Sequence, residues 1–228
     1  MRSHRPPANP IFRRGLVTFL AAGVCIALLL GTIALPGAAA ARVLKAANFL
    51  GEPVSDKARQ VADRVVSSNN NRSLPFIIID KVNAEVFLFD DHGQLRGATP
   101  ALLGLARGDD SVAGIGNRKM STIRPGERTT PAGRFVASMG HDNVGHTILW
   151  VDYADSIALH RVVTTNPKEH RLERLASGLS SERRISYGCI NVPVKFFEKI
   201  VMPAFTGTNG IVYIIPETRS VGESLYGG

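Results

Sequence analysis

The sequence predicts a mainly β domain with short helices, of sandwich or barrel-like architecture. Short runs rich in β-branched and aromatic residues recur along it: Phe76-Ile-Ile-Ile-Asp80, Glu85-Val-Phe-Leu-Phe-Asp90, Thr147 to Val151, Ser156 to Leu159 and Ile211 to Ile215. Turn chemistry separates them. Asp91-His92-Gly93 leads into a further strand, and Thr130-Pro131-Ala132-Gly133 has Pro second and Gly fourth, as a β-turn prefers. Helical periodicity is confined to brief stretches, so strands must supply most of the core.

The chain of 228 residues carries a formal charge of +8, with 44% apolar and 20% charged residues. These are ordinary globular values for one compact domain with appendages. Four of the positive charges, Arg2, Arg5, Arg13 and Arg14, precede an uncharged apolar run from Leu16 to Leu35. Pro36, Gly37 and the small residues Ala38 to Ala41 follow, which is the order of a secretory signal. The run is also long enough to span a bilayer, so residues 1–41 read as a signal peptide or an N-terminal membrane anchor. In both cases the remainder is exported to the periplasm or cell envelope, and membrane contact is limited to this segment. Elsewhere Lys and Arg are mixed with Asp and Glu, without a basic stripe interleaved with aromatics, which argues against nucleic acid as a partner.

Residues 42–74 read as a helical connector and linker. Ser55 is placed to cap a helix whose Ala58, Val61, Ala62, Val65 and Val66 share a face, and Ser67 to Ser73 reads as an Asn-rich spacer. Residues 75–216 form the main domain, and 217–228 read as a disordered tail. Late in the domain, Val194, Phe197, Ile200, Val201 and Ala204 share a helical face, with Pro193 in the first turn and Pro203 at the end. The charged stretch from Thr164 to Arg184 reads as a solvated excursion or a lid, with Pro167 opening a brief helix that turns Leu172 and Leu175 inward.

Cys25 belongs to the N-terminal apolar run, which leaves Cys189 as the single cysteine of the exported part. A lone thiol in an oxidising compartment is a liability unless it is used. Cys189 stands in Ile185-Ser-Tyr-Gly-Cys-Ile-Asn-Val-Pro193. Gly188 permits a sharp turn and close approach of a substrate, and amides around Cys189 are candidates for an oxyanion site. A helix starting near Val192 is expected to set its positive end beside the sulfur and favour thiolate. A cysteine nucleophile needs a base, and His160 follows the apolar run Ser156 to Leu159, at a strand end able to aim it. His170 is the competitor, within a charged stretch.

His141 and His146 lack metal-ligand spacing, so no metal site is expected. Gly114-Ile-Gly116 is too little for a dinucleotide fingerprint, and no cofactor is expected. Ser186 lacks a nucleophile elbow and reads as a loop brace.

At these residues the sequence resembles the L,D-transpeptidase catalytic domain (YkuD-like) family. That family's signature is a strand-ending His, a variable gap, then Ser/Thr-His-Gly-Cys, a hydrophobic residue and Asn or Arg. The matching positions are Leu159-His160 and Ser186-Tyr187-Gly188-Cys189-Ile190-Asn191, and the family's Thr-Pro-x-Gly-x-Phe segment matches Thr130 to Phe135. The opening hairpin from Phe76 to Gly97 is similar as well, so the resemblance spans roughly residues 75–216. It implies a mostly β L,D-transpeptidase-type catalytic domain acting on peptidoglycan stem peptides. Cys189 would attack the carbonyl of a tetrapeptide's third residue, releasing the terminal D-alanine. An amine from a second stem or from a wall-attached protein would then resolve the thioester. His160 would be the base, the Tyr187, Gly188 and Cys189 amides would line the oxyanion hole, and Asn191 would brace the loop. Two departures stand out. Tyr187 replaces the family's usual His, and the interval from His160 to Cys189 is longer than usual, so that spacing alone favours His170. The alternatives are an L,D-carboxypeptidase or hydrolase of the same fold and a non-catalytic wall-binding protein.

Overall fold

The computed structural model describes residues 45–226. The expected signal or anchor, with Cys25, lies outside the described residues.

Among the described residues there are ten strands: β1 (Phe76–Asp80), β2 (Glu85–Phe89), β3 (Leu95–Pro100), β4 (Leu103–Gly104), β5 (Gly133–His141), β6 (Thr147–Asp152), β7 (Ile157–Arg161), β8 (Arg184–Ser186), β9 (Ile190–Val192) and β10 (Gly210–Ile215). Eight form one sheet in the order β3-β2-β1-β10-β5-β6-β7-β9, while β4 and β8 pair separately. Within the large sheet, β1 with β10 and β7 with β9 are parallel, and the other neighbours are antiparallel. The fold is therefore the mainly β, barrel-like sheet with few short helices that the strand runs predict.

Side-chain alternation explains the two cores. Ile77 and Ile79 of β1 enter a core shared with Leu149, Leu159, Ile190 and Val192 from the far end of the sheet, so one face rolls around a common interior. Phe76 and Ile78 point the other way, into a second core. Covered on both faces, β1 and β10 are buried along their whole length, which is why they read as unbroken apolar runs.

Helix α1 (Asp56–Ser68) closes the second core with Ala58, Val61, Ala62 and Val65. The Ser55 hydroxyl caps it, accepting from the Ala58 amide at 3.1 Å. The Asn-rich segment is not a spacer. The Asn70 side-chain oxygen accepts from Arg134 and from the Tyr213 hydroxyl, and buried Asn71 donates to the carbonyls of Leu74 and Asp91.

The helical stretch after the cysteine runs as α3 (Val194–Phe196), a wider π-type turn (Phe197–Val201) and α4 (Met202–Phe205). Here the expected face needs correction. Phe196, Phe197, Val201 and Phe205 are buried while Val194 is 42% exposed, because the wide turn rotates the stripe. Pro203 lies in the first turn of the final segment instead of ending the helix; lacking an N–H, it fits where the ladder has already been interrupted.

The tail is also corrected, since Val221–Tyr226 forms α5 with Leu225 buried in the second core. Glu217 is held by charge. Lys81, fully buried, donates to the Gly108 and Thr130 carbonyls and to an Asp109 carboxylate oxygen at 2.8 Å. Glu217 lies 3.8 Å from the same ammonium and 2.8 Å from Arg184. Burial pushes the Lys81 pKa down, opposed by the hydrogen bond and charge of Asp109. Burial also works against the Asp109 charge, but hydrogen bonds from Lys81, Thr218 and the Glu217 and Thr218 amides outweigh it and hold that carboxyl well below its usual range.

Removing one partner of a buried pair leaves an uncompensated charge. Lys81→Ala is therefore expected to lose about 3–5 kcal/mol in denaturant unfolding. Asp109 has a depressed pKa, so its contribution is complete above its ordinary value of 3.8 and is lost as pH falls below it. Unfolding followed against pH should show that loss in the wild type and not in Asp109→Asn, which starts less stable.

Candidate active site

Parallel pairing of β7 with β9 assembles the site. Leu159 is in register with Ile190, and His160 with Asn191, so His160 and Asn191 lie side by side while Leu159 and Ile190 enter the core. Cys189 immediately precedes β9. Its sulfur lies against the start of β7, 3.6 Å from the Ser156 carbonyl oxygen, within reach of the Ala158 amide. One strand pair thus places Cys189, His160 and Asn191 on two adjacent strands.

The approach to Cys189 is a turn that only glycine makes easily. Gly188 has φ +133°, and a Cβ there would stand 2.8 Å from both the Ile157 Cδ1 atom and the Thr129 carbonyl oxygen. The Ser186 hydroxyl accepts from the Gly188 amide at 3.1 Å and donates to the Cys189 carbonyl at 2.6 Å. Ser186 is thus a brace, as its sequence context suggests. Asn191 reinforces it by donating to the same carbonyl at 3.3 Å. Because Ser186 engages the Gly188 amide, the Tyr187 and Cys189 amides are the candidate oxyanion donors that this loop has left. Thr130, whose part was not legible in the sequence, ties the loop to the rest: its hydroxyl donates to the Gly188 carbonyl at 2.7 Å and accepts from the Gly104 amide.

Tyr187 packs its ring beneath the Arg128 guanidinium, 3.9 Å from the ring centre. Arg128 closes a long segment carrying short helical turns at Ile115–Asn117, Met120–Thr122 and Pro125–Glu127. This segment crosses the β6–β7 turn at Gly116. A Cβ there would meet the Ala154 carbonyl at 2.1 Å, and the Ser156 hydroxyl donates to the Gly116 carbonyl. Gly116, uninformative as a fingerprint, permits this close crossing.

The electrostatics differ from the sequence reading. No helix starts at Cys189; β9 intervenes, a separation of about 10 Å for three strand residues, so a helix dipole does not act on the sulfur. Cys189 is half-buried. Burial pushes the thiol up, against the opposing effects of the Ala158 amide and the Arg171 charge. Burial likewise pushes the His160 pKa down, against its bond to the Arg161 carbonyl. That bond, 2.7 Å from Nδ1, fixes the tautomer. A carbonyl oxygen only accepts, so Nδ1 carries the proton and Nε2 keeps its lone pair. At rest near neutral pH, the site holds a thiol and a neutral imidazole.

His170 is not gathered in. Its side chain is 67% exposed and lies 3.7 Å from Glu173. The stretch around it is mostly solvated, as expected, but it has a structural task. It is the crossover from β7 to β9, containing α2 (Arg171–Ala176), and Leu175 packs with Leu102 and Val162. Leu172, expected to face inward, is 57% exposed. Arg171, which no sequence signal marked, reaches the site, donating to Asn191 at 2.7 Å.

No protein-family model matches the chain, and no curated protein matches it. It is similar to the solved structure of LD transpeptidase LdtMt1 in complex with imipenem, at 14% identity and TM-score 0.36, over 62% of this chain and 58% of that one. It is similar to the helical cell shape determining protein Pgp2 from Campylobacter jejuni, at 13% identity and TM-score 0.41, over 64% of this chain and 49% of that one. It is also similar to the catalytic domain from the E. faecium L,D-transpeptidase, at 17% identity and TM-score 0.34, over 62% of this chain and 96% of that one. The chain thus spans about half to three fifths of the first two.

Two outcomes follow from the site geometry. Gly188→Ala forces a side chain into an occupied, left-handed position and should cost about 1–3 kcal/mol in thermal or denaturant unfolding, together with most of the Cys189 reactivity. In the wild type, the rate of Cys189 alkylation by iodoacetamide should rise with pH to a midpoint above 9.0, the ordinary cysteine value, because burial disfavours the thiolate. A midpoint below 9.0 would show that opposing charge, not burial, governs the sulfur.

Proposed function

We propose that the domain is a peptidoglycan L,D-transpeptidase that uses Cys189 as nucleophile and His160 as general base. One observation carries this reading. A cysteine that follows the left-handed Gly188 opens β9, the strand in register with β7, whose His160 has its Nδ1 committed to a backbone carbonyl and its Nε2 left to accept a proton. The motif resemblance names the substrate class; the arrangement supports acyl transfer in general.

In this mechanism Nε2 of His160 takes the thiol proton as Sγ bonds to the carbonyl carbon of the third stem residue. The oxyanion is met by the Tyr187 and Cys189 amides, each donor contributing roughly 3 kcal/mol. The tetrahedral intermediate collapses as His160 passes its proton to the leaving nitrogen, the C–N bond breaks, and D-alanine departs, leaving a thioester. An acceptor amine then attacks that thioester, giving its proton to His160, and Cys189 leaves and is reprotonated. A neutral thiol–imidazole pair suits this sequence, since the proton moves only when the carbonyl is in place. The N-terminal sequence adds an exported setting, where such a substrate is found.

Intact-mass analysis after incubation with tetrapeptide muropeptides should detect one acyl adduct, absent from Cys189→Ala. His160→Ala should acylate on the order of a hundredfold or more slowly, while His170→Ala keeps the wild-type pH dependence. If His170→Ala alone abolishes the neutral-pH dependence, the dyad is wrongly assigned. Folded wild type that never forms an adduct rejects the enzyme reading.

A further inference from the structure

The mechanism above leaves one partly buried cation at the site without a task. Arg171 opens α2 on the crossover, with its side chain only 13% exposed. Its Nε donates to a Glu169 carboxylate oxygen, and its Nη1 donates to the Asn191 side-chain oxygen at 2.7 Å. Asn191 in turn donates to the Cys189 carbonyl. Two directed bonds therefore hold the guanidinium plane in a fixed orientation beside the nucleophile. Its charge is felt at both reacting groups, favouring thiolate at Cys189 and disfavouring imidazolium at His160.

A guanidinium carries five N–H donors in a planar fork. Glu169 takes one and Asn191 another; among the described residues Nη2 has no protein acceptor. An oriented cation with an unengaged donor edge is the geometry that recognises a carboxylate, and arginine does this far better than a mobile lysine because its plane is preset. A role confined to bracing Asn191 would need neither the charge nor the spare edge. Glutamine would hold Asn191 as well.

We propose that Arg171 is a carboxylate-docking residue of the cysteine site, selecting acyl donors that carry a carboxylate close to the scissile carbonyl. The identity of that donor rests on the transpeptidase reading, under which the carboxylate is that of the departing D-alanine, separated from the scissile nitrogen by one carbon. Docking there fixes the leaving group while Cys189 attacks from the loop that Asn191 braces, so one arginine couples substrate position to nucleophile position.

The test compares two small alkylating reagents of the same reactive group, anionic iodoacetate and neutral iodoacetamide, on Cys189 of the full exported domain. The ratio of their rates cancels changes in thiol pKa and loop geometry, which act on both reagents. Arg171→Gln should lower the iodoacetate-to-iodoacetamide ratio roughly three- to tenfold, the scale of one nearby charge in a partly screened site. Arg171→Lys should restore part of it. An unchanged ratio in Arg171→Gln overturns carboxylate docking whether or not stem peptides are substrates. A second arm compares acylation by a tetrapeptide and by its C-terminal amide. Wild type should favour the free acid, and Arg171→Gln should treat the two alike. Equal acylation of the wild type by both peptides rejects docking while leaving acyl transfer intact. If neither peptide acylates the wild type but the reagent ratio still falls, the transpeptidase reading fails and the docking assignment stands.

Discussion

The parallel pairing of β7 with β9 is the constraint on which the site depends. An antiparallel pair can be joined by a tight turn, but a parallel pair needs a chain that leaves one end of the sheet and returns to the other. Residues 162–189 are that return. Its charged composition disguises this, because most of it faces solvent. Leu175 packs with Leu102 and Val162, and Arg174 donates to the Glu169 and Glu182 carbonyls, so the segment is pinned at several points. Once the crossover is seen as obligatory, the long interval between His160 and Cys189 ceases to argue against His160. Distance along the chain measures the crossover, while distance in space is set by adjacent strands.

The second theme is that burial, more than local charge, sets the resting state of the site. Desolvation raises the thiol and lowers the imidazole, so both remain neutral. A stable thiolate–imidazolium pair would react with any electrophile that entered. Under the proposed acyl transfer, a neutral pair would react only when a carbonyl accepts the developing charge. Arg171 moderates this by favouring the anion at sulfur. Its position on the crossover ties that influence to the same segment whose existence the sheet topology requires.

Support behind the site comes from a different use of charge. Lys81 sits where the base of the long segment before β5, the end of β10 and β8 converge, and its ammonium satisfies two carbonyls and a carboxylate. One of those carbonyls belongs to Thr130, whose hydroxyl holds Gly188. The buried ion cluster and the Gly-Cys turn therefore share a residue, and the loop that carries the cysteine is anchored on groups far from it in sequence.

The sequence by itself determined the long strands, the cap at Ser55 and the β class, and it proposed Cys189, His160, Ser186, Gly188 and Asn191 as the candidate site. These rest on local physics: alternation of apolar residues, the φ freedom of one glycine, a hydroxyl at a helix start. It misjudged the helix dipole at Cys189, the face of the helix from Val194 and the ordering of the tail, and it missed the structural task of residues 164–184. Each of these is settled by contacts between distant segments. The three-residue β9 exists because β7 lies beside it, α5 because a second core receives Leu225, and the place of Arg171 because β7 and β9 run parallel. Periodicity reports which face of an element is apolar. Only tertiary structure decides which solvent-facing charges are turned back, by a crossover the sheet cannot do without, onto the candidate site.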